Sequence, residues 1–136
     1  MTFVLDASSA LRLVFDDEDA GSRHVVEAWF RRGIDAVVPG LFLEDTTNAL
    51  VTAVRRGRID EHAARDHLVR LTRLPIGVAT RAPSPATLMD LALRHGLTAY
   101  DAAYLELAIT LDAPLVTHDT ALVRACENEG LPNDAG

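Results

Sequence analysis

The sequence contains no lysine: all 13 basic residues among its 136 are arginine. That absence excludes the acidic α/β receiver domains of phosphate transfer, which need a lysine beside paired acids after the first strand. Cysteine is nearly as scarce. A single Cys126 permits no internal disulfide, suits a reducing cytosol, and on the apolar face of a late helix is expected to be core filler. With one cysteine and no clustered histidine, a zinc site of ordinary ligand spacing is excluded as well. No apolar run approaches the ~20 residues that a membrane span requires. "MTFVLDASSA" has no basic stretch ahead of its apolar residues, so it is expected to open the fold as a strand and not to act as a signal peptide. Repeats, low-complexity tracts and linkers are missing too. Residues 1–136 are therefore expected to form a single cytoplasmic domain, large enough for a real core.

Positive charge is also in deficit. The formal net charge is −7, which argues against nucleic-acid binding by bulk electrostatics. The charge is nevertheless segregated. Arg55, Arg56 and Arg58 fall close together, followed by Arg65, Arg70, Arg73 and Arg81, so a basic middle lies between acidic ends. Arginine presents a planar fork that matches phosphate oxygens.

What is present is a regular alternation. The short apolar runs "TFVL" (2–5), "AVV" (36–38), "IGVA" (76–79) and "PLVT" (114–117) read as strands. Helical patterns occupy 8–15, 20–32, 41–56, 60–74, 84–95, 97–111 and 120–129. Gly57, Pro75, Gly96 and Gly130 supply stops, and Ser84 with Pro85 a start. Strands separated by helices imply crossovers, hence an α/β/α sandwich around a short, mostly parallel sheet. Such sheets bind ligands at the carboxyl ends of their strands, beside helix N-termini.

Four acids fall at that edge. Asp6 ends the first strand, Asp119 follows the last one, and Glu44 and Asp101 lie in the first turns of their helices. Each has a plain explanation as a helix cap or dipole partner; Thr98 and Asp101, for instance, form the "T-x-x-D" of a capping box. If several converge, their repulsion must be relieved by raised pKa values or by a cation. Oxygen-only ligands favour hard ions, Mg²⁺ or Mn²⁺, and the natural chemistry is phosphodiester hydrolysis.

The segments "FVLDASSAL", "PGLFLEDTTNAL" (39–50), "GLTAYDAAYLELA" (96–108) and "PLVTHDTAL" (114–122) run nearly end to end. In order and wording they resemble the PIN-domain ribonucleases, most closely the VapC toxins of type II toxin–antitoxin pairs. The resemblance implies a PIN-like fold and a Mg²⁺- or Mn²⁺-dependent endoribonuclease that inhibits translation. It implies Asp6, Glu44, Asp101 and Asp119 as catalytic, metal-binding carboxylates, with Ser8 and Thr117 at supporting hydroxyl positions and Asn48 one turn beyond Glu44 to orient it. It further implies an RNA substrate, a cognate VapB-type antitoxin and a homodimer built on apolar helix faces. A PIN nuclease outside toxin–antitoxin pairs and a non-catalytic PIN binding module are the alternatives.

Other residues invite a role. Asp45 stands where an apolar residue is more usual; the register of "NAL" selects Glu44 as the ligand and turns Asp45 about 100° away. Arg55, Arg56 and Arg58 are candidate RNA contacts, or a solvent-facing helix end that complements the dipole. "DDED" (16–19) is expected to be a solvated loop, His118 to face away from its neighbours, and Tyr100 and Tyr104 to pack in the core or an interface. Glu106, about 140° round the helix from Asp101, is not expected to share its ligand.

Overall fold

The computed structural model describes residues 1–15 and 20–136, so the "DDED" stretch lies outside the described residues. Phe3, Val4 and Leu5 are consecutive in strand β1 (Thr2–Leu5), and each is fully buried. Successive side chains of a strand point to opposite faces, so both faces of β1 are covered, as a parallel sheet requires. Val4 pairs with Val37 of β2 (Asp35–Val38) on one side and with Leu115 of β4 (Leu115–Val116) on the other. Outside β2 lies β3 (Ile76–Val78), giving the order β3-β2-β1-β4 with every pairing parallel.

The helices are α1 (Ala7–Arg12), α2 (Ala20–Arg31), α3 (Phe42–Arg55), α4 (Glu61–Thr72), α5 (Pro85–His95), α6 (Ala99–Leu111) and α7 (Thr120–Asn128). They flank the sheet in the expected α/β arrangement. α1 stops at Arg12, short of the expected residue 15, and the carbonyls of the three residues that follow are taken by side chains of other elements. Arg23 donates to Leu13 O (3.1 Å) and Phe15 O (3.3 Å), and Arg70 to Val14 O (2.9 Å). Gly96, at φ 66°, ends α5 in the left-handed conformation that a Cβ would strain.

α6 is apolar all round and buried from Ala102 to Ala108, the pattern of a helix packed on every side. Tyr104, Leu107 and Ala108 join the main core with β1, α1, α3 and α4, while Ala102 and Leu105 join a smaller cluster with Leu91, Leu122 and Ala125. Each fully buried Leu there contributes about 1.5–3 kcal/mol of transfer free energy. Cys126 packs half-buried against the smaller cluster, and burial pushes its thiol up to about 11. β4 is the sheet edge; beyond α7 the tail buries Ala135 and accepts Arg32 on the carbonyl of Gly136 at 3.4 Å. Among the described residues no helix is long and apolar enough to cross a membrane.

Candidate active site at the carboxyl edge of the sheet

A cavity of about 410 Å³ opens at the carboxyl ends of β1 and β4, and Asp6, Asp45, Asp101 and Asp119 all line it. Asp6 follows β1 directly and caps α1. Its Oδ1 accepts the Ser9 amide at 2.9 Å and the Ser8 hydroxyl at 3.3 Å. Asp119 caps α7 in the same way, with Oδ1 accepting the Leu122 amide at 3.0 Å, while its own amide donates to Thr117 Oγ1 at 3.0 Å. A carboxylate has two oxygens, so capping and ligand binding are not alternatives: the cap fixes one oxygen and the other is left for the cavity. Asp101 sits in the first turn of α6, its amide donating to Thr98 Oγ1 at 3.1 Å. Asp45, in the first turn of α3, accepts the Tyr104 hydroxyl on Oδ2 at 2.9 Å.

The electrostatics follow from this crowding. Burial raises the Asp101 carboxyl above its ordinary value; a hydrogen bond from Thr98 opposes the rise, and the charges of Asp119, Asp6 and Asp45 add to it. Burial and then the charge of Asp45 push the Tyr104 phenol up, so it remains a hydrogen donor throughout the physiological range. Among the described residues, no three Asp, Glu, His or Cys side chains are drawn together into a ready-made ligand cluster. Like charges keep their distance, and a cation that joined them would have to draw them in. The donor chemistry itself, carboxylate oxygens without sulfur or imidazole, fits a hard divalent ion. Arg12 and Arg58 line the same cavity.

Residues 3–128 match the PIN domain. The chain belongs to the PIN-domain family. Ribonuclease VapC1 of Mycobacterium tuberculosis is 37% identical over 122 residues, covering 79% of this chain and 87% of that protein. Ribonuclease VapC3 of Pyrobaculum aerophilum is 32% identical over 126 residues, 90% of this chain and 92% of its own length. The crystal structure of PAE2754 from Pyrobaculum aerophilum superposes with a TM-score of 0.71 at 28% identity, covering 92% of this chain and 84% of the other. Within the PIN family the resemblance to VapC proteins therefore holds over most of the chain.

In this PIN domain the cavity-lining acid of α3 is Asp45, which corrects the expected Glu44. Glu44 is exposed and lies with Leu43, Thr47, Asn48 and Val51 on another face, so neither it nor Asn48 reaches the cavity. The reason is helical register. Buried Phe42, Thr46 and Leu50 set the inward stripe of α3, and Asp45, Ala49 and Ala53 form the adjoining column, one turn apart, that lines the cavity. A signal for this was present: small alanines four and eight residues after Asp45 leave room for a cavity, whereas Val51 follows Glu44 on the solvent side.

The remaining residues separate cleanly. Ser8 lines the cavity and Thr117 supports Asp119 from outside its lining. Of the arginine cluster only Arg58 reaches the cavity; Arg55 lines a groove between α3 and α4, and Arg56 is exposed. His118 is turned from the cavity, its ring nitrogens bridging Ser9 Oγ (3.1 Å) and Ser22 Oγ (2.9 Å), and so ties α1, α2 and the β4–α7 loop together. Glu106 is buried and paired with Arg81 at 2.6 Å, away from Asp101. Tyr100 is 71% exposed but Tyr104 is only 1% exposed, and its hydroxyl serves the site as well as the core. That hydroxyl role and Arg12 went unread in the sequence.

Proposed function

We propose that this PIN domain is a Mg²⁺- or Mn²⁺-dependent endoribonuclease that hydrolyses RNA phosphodiester bonds in the cytoplasm, inhibits translation and is neutralised by a cognate VapB-type antitoxin. One observation carries the reading: carboxylates from four separate elements line one cavity at the sheet edge. Asp6, Asp45, Asp101 and Asp119 would hold the ion. Bound there, a divalent ion supplies a more acidic water and Lewis-acid stabilisation of the phosphoryl oxygens. The chain's own residues supply rigidity. Helix-capping bonds fix Asp6 and Asp119, Thr98 anchors the first turn bearing Asp101, and the Tyr104 hydroxyl orients Asp45.

The partner chemistry follows from the same features. An acidic cavity attracts a basic side chain from an antitoxin segment laid over it. Exposed Met89 and Leu93 on α5 and Tyr100 on α6 suit an apolar homodimer face. The test is to sequence RNA 5′ ends after inducing the wild type and Asp101→Asn side by side. New 5′ ends and growth arrest are expected with the wild type alone. Equal cleavage by a folded Asp101→Asn protein would sink the reading.

A further inference from the structure

Asp6 and Asp119 stand near opposite ends of the chain, and each is tied to its own helix by its cap. A cap fixes an acid relative to its helix but not its distance from the other acid. The sheet joins the two segments as far as Val116, which pairs with Leu5 and accepts the Asp6 amide at 3.2 Å. Asp119 lies beyond that pairing, in the loop that leads to α7. His118 bridges the gap. Its Nδ1 meets Ser9 Oγ at 3.1 Å, and its Nε2 meets Ser22 Oγ at 2.9 Å. Ser9 is only 3% exposed, and its amide is the donor that Asp6 accepts. A neutral imidazole donates through one nitrogen and accepts through the other, while a hydroxyl can do either. Both bonds therefore form in either tautomer. A relay runs from Asp6 through Ser9 to His118, whose backbone is joined directly to Asp119.

Mutual repulsion favours spreading the acids, and a cation has to draw them in. A brace that resists the spreading leaves less to be recovered when the ion binds. We propose that His118 is a positioning residue for the metal-binding acids, setting the separation of Asp6 and Asp119 by holding Ser9. The proposal rests on the metal-dependent reading above and adds to it a group that touches neither ion nor substrate. The bond to Ser22 steadies the ring from α2 and has the lesser effect on the acids.

The test is Mn²⁺ affinity by calorimetric titration, with RNA cleavage in Mn²⁺ and denaturant unfolding followed on the same proteins. His118→Ala and Ser9→Ala are each expected to weaken Mn²⁺ binding by about 10–100-fold, the range for a group that supports a metal ligand. Because they break the same link, the double variant should bind about as either single variant does. An asparagine amide can reach where Nδ1 lies, and a glutamine amide where Nε2 lies. His118→Asn should therefore restore most of the affinity and His118→Gln little of it. Unchanged affinity in both alanine variants, full addition in the double variant, or rescue by glutamine instead of asparagine would overturn the role. So would affinities that follow the unfolding midpoints and not the Ser9 bond. Should His118→Ala fail to fold, Ser9→Ala and the two amide variants decide the question. A wild type that takes up no Mn²⁺ defeats the metal-dependent reading and this role with it. A wild type that binds Mn²⁺ and cleaves, with alanine variants that bind equally well, defeats the positioning role alone. Binding that depends on His118 and Ser9, without cleavage, defeats the nuclease reading and leaves the positioning role standing.

Discussion

Tyr104 donates its hydroxyl to Asp45 Oδ2 across 2.9 Å from a position only 1% exposed. The bond joins α6 to α3 and links two of the cavity acids through one helix, since Asp101 lies three residues before Tyr104. A phenol that deep in the core has few rotamers open to it, so the carboxylate it holds inherits its rigidity. Tyr104→Phe keeps the packing and deletes the bond. It is expected to cost about 1 kcal/mol of stability and to weaken both Mn²⁺ binding and RNA cleavage. Calorimetric titration with Mn²⁺ and denaturant unfolding check the two parts separately; unchanged Mn²⁺ affinity would assign Tyr104 to packing alone.

Asp45 and Glu44 are neighbours in sequence but face different surroundings, which makes a sharp comparison. Asp45→Asn is expected to reduce cleavage by more than the about 10–100-fold that loss of a supporting group costs at a metal site. Glu44→Gln should cleave as the wild type does. A larger loss from Glu44→Gln than from Asp45→Asn would restore the register expected from sequence.

Burial, and then the charges of Asp119, Asp6 and Asp45, disfavour the ionised Asp101 carboxylate in the folded state. In EDTA, Asp101→Asn is expected to melt at a higher temperature than the wild type. Mn²⁺ should raise the wild-type midpoint and raise that of the variant much less. Scanning calorimetry with and without Mn²⁺ measures both shifts, and a destabilised variant in EDTA would contradict the argument.

Far from the cavity, Glu129 closes the end of α7 onto α5. Its carboxylate accepts His95 Nε2 at 2.7 Å and Arg94 at 3.3 Å. The His95 bond holds the Glu129 carboxyl below its ordinary value of 4.5; burial opposes it, and Arg94 adds a lesser lowering. A depressed carboxylate contributes stability that is present above its unfolded pKa and lost as pH falls through the folded one. The wild type should therefore lose stability below about pH 4.5, and Glu129→Gln should lose less over that range. Unfolding midpoints across an acid pH series decide it.

Much of this was legible in the sequence. Hydrophobic alternation and glycine stops placed the strands and helices to within a few residues, because a buried parallel strand and an all-round apolar helix leave distinct patterns. The largest departure was the end of α1, where the carbonyls just past the helix accept Arg23 and Arg70 from distant positions. Asp6, Asp101 and Asp119 were legible because each sits at a chain feature, a strand end or a first turn, that fixes where it points. Asp45 was not, since one residue of register on α3 decides which acid turns inward, and that register answers to contacts with α1, α4 and α6.

The sequence by itself determined the α/β alternation, the carboxyl edge as the place for chemistry, and an acid-rich, lysine-free set of groups to conduct it. Those follow from local rules: side-chain period, capping and the crossover needed between parallel strands. Only the tertiary structure decided that Asp45 and not Glu44 lines the cavity, that a buried tyrosine holds it, and that Arg12 and Arg58 share the wall with the acids. These are juxtapositions between residues far apart along the chain, set by how α1, α3 and α6 pack on the sheet. No local pattern encodes them.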